Sequence, residues 1–145
     1  MANKIYSILL IIFAPLAMAQ TAEELRNMET LEKWGEVWLN GNFELVKDIV
    51  NPIYIRHEPT GTIRVKREVY AERVKSMQSA NRKFTTQSLS ADKDLIWVRW
   101  SMTTEDPETK EITHSRGLQV YRFENGKLAE TWWSHTEGHG SWLDL

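Results

Sequence analysis

Three observations predict an α+β fold. Helical periodicity is concentrated in the first half of the chain, β-type alternation fills the second half from Phe84 onward, and strong turn signals pair those later segments into hairpins. The predicted order is helix, helix, strand, helix, then four antiparallel strands. A sheet of that kind curls around the helices, so its concave face can enclose a pocket while its convex face meets solvent or a partner.

The first helix opens at Thr21-Ala22-Glu23-Glu24, a capping box with a Thr N-cap and a Glu three residues later. Leu25, Met28, Leu31, Trp34 and Trp38 then recur at helical spacing with Val37 beside them, and Asn40-Gly41 stops the run. A short second helix fits Phe43–Val50 and is ended by Pro52. "IYIRHEP" alternates as a strand, and "VKREVYAERVKSMQSAN" returns to a helical period through Val69, Tyr70, Val74 and Met77. "KFTTQSLSA" and "LIWVRWSMTT" flank the polar turn Asp92-Lys93-Asp94. "EITHSRGLQVYRF" and "LAETWWSHT" flank Asn125-Gly126, the preferred centre of a type I′ hairpin because both central residues need positive φ.

The segment before this domain reads differently. Lys4 and the apolar stretch "IYSILLIIFAPLAMA", closing in Ala17-Met18-Ala19, have the layout of a secretory signal with a small-residue cleavage site. Pro15 interrupts a run already shorter than the ~20 apolar residues of a spanning helix. Residues 1–19 are therefore expected to be a cleaved signal peptide and residues 20–145 a single domain, periplasmic or secreted, with no membrane attachment after cleavage.

Composition narrows the function classes. The chain is slightly acidic, with 18 Lys and Arg against 20 Asp and Glu, and no basic stripe argues for nucleic acid. There are no cysteines, so disulfides, thiolate metal ligands and a Cys nucleophile are excluded. No nucleophile elbow, glycine-rich phosphate loop or redox-cofactor signature occurs. His135 and His139 have the spacing of a zinc helix, but Gly138 and Gly140 oppose a helix there and no carboxylate constellation supports a metal. Neither a cofactor nor a metal is expected.

Four stretches, "WGEVWLNGNFELV", "YIRHEPTG", "LIWVRW" and "VYRFENGKLAETW", together resemble the SnoaL-like branch of the NTF2-like superfamily. The last is the most specific, with its aromatic-Arg-apolar strand end, Gly-Lys turn and Glu-x-Trp. The resemblance implies an NTF2-like cone, with N-terminal helices packed in a curved antiparallel β-sheet. It leaves the chemistry open, since relatives include polyketide cyclases, ketosteroid isomerases, epoxide hydrolases, dehydratases and non-catalytic binding domains. It also places an acid–base residue at His57-Glu58-Pro59. Gln119 stands where the isomerases carry a proton-donating acid, and Trp133-Ser134-His135-Thr136 stands where the cyclases carry an Asp. Two acidic positions of the family are thus not acidic here.

Of the adjacent His57 and Glu58, only one can enter the cone from a regular strand. Parity groups His57 with Ile53 and Ile55 against Tyr54, Arg56 and Glu58, which favours His57 inward as general acid or base; the isomerase alignment favours Glu58. Trp34, Trp100 and Trp132 are expected to line the cone, with Gln119 and Tyr121 orienting a ligand by neutral hydrogen bonds. Glu130 reads as a structural hydrogen-bonding residue. Trp97 and Trp133 are expected on the convex sheet, either in a homodimer interface or packed under the tail against Trp142. The expected protein takes a small hydrophobic or amphipathic ligand, with cofactor-free isomerisation, cyclisation or hydrolysis; the alternatives are a non-catalytic binding protein or a dimeric assembly module.

Overall fold

In a computed structural model of the chain, the described residues are 20–77 and 81–138. The predicted signal segment and the tail carrying His139 and Trp142 lie outside them. Helix α1 spans Ala22–Asn40 and begins with the reciprocal capping box: Glu24 N donates to Thr21 Oγ1 at 3.1 Å and Thr21 N to Glu24 Oε2 at 2.7 Å. It ends at Gly41, whose φ of 73° only glycine adopts without strain. Its buried stripe is Asn27, Thr30, Trp34 and Val37. The two polar members are buried because each meets a hairpin turn. Asn27 Nδ2 donates to the Lys93 carbonyl at 3.2 Å, and Thr30 Oγ1 to the Gly126 carbonyl at 2.8 Å. The first half of α1 is thereby fastened to both turns, and the second half is left to face the sheet with its tryptophans.

A 3₁₀ turn at Phe43–Leu45 leads into the single-turn helix α2, Val46–Ile49, and directly into strand β1, Val50–Glu58. The remaining elements are β2 (Gly61–Lys66), α3 (Arg67–Ser76), β3 (Asn81–Asp92), β4 (Leu95–Glu105), β5 (Ile112–Glu124) and β6 (Lys127–Glu137). They form one curved sheet in the order β2-β1-β6-β5-β4-β3. Asn125 and Gly126 both take positive φ, 54° and 76°, as the type I′ reading of the β5–β6 turn requires.

Two features depart from the expected antiparallel sheet. Strand β2 pairs with β1 along an edge that the sequence pattern merges into the following helix; α3 itself begins at Arg67. Strand β1 also runs parallel to β6, so the sheet is mixed. Val50 pairs with Leu128 and Ile55 already with Glu130, so β1 carries a bulge across Asn51–Tyr54. The core lies between the helices and the concave face, around Trp34, Tyr54, Tyr70, Trp100 and Leu128.

Candidate functional site

Helices α1 and α3 and the concave faces of β1 and β3–β6 enclose a cavity of about 410 Å³. Its wall is mostly apolar, with a run of aromatic rings along it. Trp34 stacks near Tyr70 (ring centroids 6.0 Å apart), Phe84 stacks on Trp100 (5.6 Å) and Trp100 on Trp133 (6.4 Å). Trp38, Val98, Met28, Met77 and Met102 add apolar surface. Gly117 makes room for this arrangement. A Cβ there would lie 2.7 Å from Trp100 Cζ2 and closer still to the Ser134 carbonyl oxygen. A glycine inside a strand signals such a close approach.

One wall is charged. Strand pleating puts Tyr54, Arg56 and Glu58 on the concave side. Arg56 is 6% exposed; its Nε donates to Glu58 Oε1 at 2.5 Å and its Nη1 to the Tyr70 hydroxyl at 2.7 Å. Its guanidinium also lies over Trp133, 5.0 Å from the ring centroid, and over Tyr70 at 5.6 Å. Arg73 Nη2 donates to Glu58 Oε2 at 3.3 Å. Burial pushes the Glu58 carboxyl upward, but the Arg56 hydrogen bond and the charges of Arg56 and Arg73 more than reverse this, leaving it below the usual carboxylate range. Glu58 is therefore ionised at neutral pH. Burial raises the Tyr70 and Tyr121 hydroxyls, which stay protonated and can donate. Tyr54 and Thr131 share a buried hydroxyl–hydroxyl bond of 2.5 Å beneath this cluster.

His57 lies on the opposite face, which corrects the parity expectation. Its Nε2 meets Glu130 Oε1 and its Nδ1 meets Thr62 Oγ1, both at 2.8 Å, and its ring stacks on Trp132 at 5.0 Å. Arg122 Nε holds the other Glu130 oxygen at 2.8 Å, so Glu130 braces the outer face. The apolar pair Ile53 and Ile55 misled because the inner face of β1 carries polar groups, while Ile53 stays 38% exposed outside.

The two tryptophans of β6 also exchange the places expected of them. Trp133 lines the cavity, whereas Trp132 is 37% exposed on the convex face. The cause is local. Phe123 pairs with Leu128 and Arg122 with Glu130, so Ala129 is an extra residue that inverts the alternation beyond it. Leu128 and Thr131 consequently share the inner side, and parity counted from Leu128 fails. His135 follows Trp133 inward and stacks on its ring at 4.2 Å.

Trp34, Trp100, Gln119 and Tyr121 line the cavity, and Trp97 is 52% exposed on the convex sheet. Sequence reasoning left Arg56, Tyr70 and Arg73 without a role; the available signal was the i, i+2 spacing of Arg56 and Glu58, which puts opposite charges on one strand face. Among the described residues, no group of three or more His, Asp or Glu side chains is placed to hold a metal ion, and no helix is long and apolar enough to cross a membrane.

The SnoaL-like domain family model matches residues 31–131. The chain belongs to the SnoaL-like family. Among solved structures it is similar to a proposed polyketide cyclase from Acidithiobacillus ferrooxidans, at 27% identity over 76% of this chain and 87% of that one, with a TM-score of 0.66. A proposed SnoaL-like polyketide cyclase from Jannaschia is 12% identical over 80% and 89%, with a TM-score of 0.68. An LEH-like epoxide hydrolase from Mycobacterium tuberculosis is 13% identical over 77% and 85%, with a TM-score of 0.63. The last two likenesses speak for the fold alone. No match was found among curated protein sequences.

Proposed function

We propose that this SnoaL-like protein holds a small hydrophobic or amphipathic molecule in the cone and moves a proton on it without a cofactor, as isomerases and cyclases of this fold do. The observation that carries the reading is the Glu58 carboxylate, ionised and braced by Arg56 and Arg73 on the wall of an aromatic cavity. Glu58 acts as general base, Arg56 and the Tyr70 hydroxyl face the oxygen on which charge develops, and Gln119 and Tyr121 orient it.

A suitable probe is 2-tetralone, a bicyclic enolisable ketone whose α-protons exchange measurably in deuterated water. The protein should accelerate that exchange, and Glu58→Gln should lower the acceleration by roughly 10²–10⁴-fold, the usual worth of a proton-transfer group. His57→Ala, on the other face, should leave it unchanged. Equal exchange in wild type and Glu58→Gln would remove Glu58 as the base. The competing reading, binding without turnover, is favoured by the double engagement of Glu58 by two arginines.

The same reading includes export and self-association. The apolar stretch ending in Ala17-Met18-Ala19 supports cleavage before Gln20, which N-terminal sequencing of protein from its host would check. Trp97 and Trp132 on the convex sheet support a homodimer through that face.

A further inference from the structure

The charged wall of the cavity carries more positive charge than it neutralises. Glu58 is the single carboxylate serving two guanidinium groups, with one oxygen on Arg56 and the other on Arg73. Among the described residues neither arginine forms an ion pair with any other acid. The second group that Arg56 meets is the Tyr70 hydroxyl, a neutral acceptor. The other charged groups of the wall are one of each sign, Glu32 and Arg82, and Arg82 spends a donor on the Met77 carbonyl. The unbalanced charge therefore stays with Arg56, Glu58 and Arg73. Arg56 is the deepest of these and is almost wholly removed from bulk water.

Glu58 neutralises the buried Arg56, so the excess charge falls on Arg73, half-exposed on the cavity wall, and an anion entering beside it gains a charge-assisted partner. The excess amounts to one charge, and a guanidinium presents a planar fork that matches a carboxylate. Next to the cluster the wall turns apolar, along Trp133, Trp100 and Trp34.

We infer that the ligand of this cavity is a small apolar carboxylic acid, its carboxylate set against Arg56 and Arg73 and its apolar body against Trp34, Trp100 and Trp133. A doubly charged phosphate would over-neutralise the cluster, and a neutral molecule would leave it unbalanced. The inference rests on the cavity being the ligand site proposed above.

The test compares 2-naphthylacetate with its neutral isostere 2-naphthylacetamide by titration calorimetry on the intact protein. The carboxylate should bind at least tenfold more tightly than the amide, with one molecule per chain. Arg73→Gln, at a half-exposed position, should bring the carboxylate close to the amide, the carboxylate losing far more affinity than the amide does. Arg56→Met should do the same wherever it remains folded. Equal binding of the two compounds, or tighter binding of the amide, overturns the acid preference and leaves the cavity as a ligand site. Binding of neither compound overturns both.

Discussion

Arg56 Nε donates to Glu58 Oε1 at 2.5 Å, and the residue between them, His57, sits on the other face of the sheet. The pair is built by pleating alone, so its strength depends on the strand staying regular there. Glu58→Leu would leave the buried Arg56 without its anion, and breaking such a pair costs about 3–5 kcal/mol. The lower end applies here, because Arg56 keeps its hydrogen bond to the Tyr70 hydroxyl. Arg56→Met should cost less, since Arg73 still reaches Glu58. The double substitution Arg56→Met, Glu58→Leu should recover much of the loss. Urea unfolding of the four proteins gives the coupling directly, and strict additivity would show that the two groups do not interact.

Gly117→Ala should lower stability by about 1–3 kcal/mol, the usual range for overpacking. The new methyl meets the Trp100 ring and the Ser134 carbonyl, so the ring must move toward the cavity and the β5–β6 pairing must distort as well. Urea midpoints together with the near-ultraviolet tryptophan spectrum would register both effects. An unchanged spectrum and midpoint would refute the close approach.

Acid should weaken the outer brace. Burial pushes the Glu130 carboxyl up, while the His57 and Arg122 hydrogen bonds and charges pull it down by more, so its folded value lies below the ordinary one. The folded state then binds fewer protons than the unfolded state. Its stabilising contribution is complete above the ordinary carboxylate range and is lost as pH falls through the lowered folded value. The stability gap between wild type and Glu130→Gln should thus be wide at neutral pH and narrow at about pH 4 and below. A gap that widens on acidification would contradict the assignment.

Trp132→Glu should convert a dimer to a monomer in sedimentation without altering the far-ultraviolet spectrum, because the ring lies on the convex face. Trp133→Glu, by contrast, should unfold the protein or disrupt the cavity. A wild-type protein that stays monomeric at high micromolar concentration would end the dimer proposal.

These contrasts show where sequence was informative. Trp34 and Trp100 could be placed because their helix and strand keep an unbroken period, and Gln119 and Tyr121 share a strand without an interruption between them. Trp132 and Trp133 could not, because the extra residue at Ala129 shifts the alternation and Ala129 itself gives no sign of it. His57 and Glu58 were exchanged for a different reason. Hydrophobic pattern assumes an apolar interior, whereas the inner face of β1 carries Tyr54, Arg56 and Glu58, whose partners come from one another and from Thr131, Tyr70 and Arg73. The pairing of β1 with β6 has no local signature at all, since it joins distant segments.

That parallel seam also bears on how the chain assembles. Strands β3 to β6 pair as sequence neighbours, joined by short connections, and can form on local interactions. The bond from His57 to Glu130 links positions 73 residues apart, so a large loop must close before it contributes anything. Interactions that form only after the main folding barrier govern how fast a protein comes apart rather than how fast it forms. Loosening this seam is accordingly expected to shorten the lifetime of the native molecule while leaving its rate of formation nearly untouched.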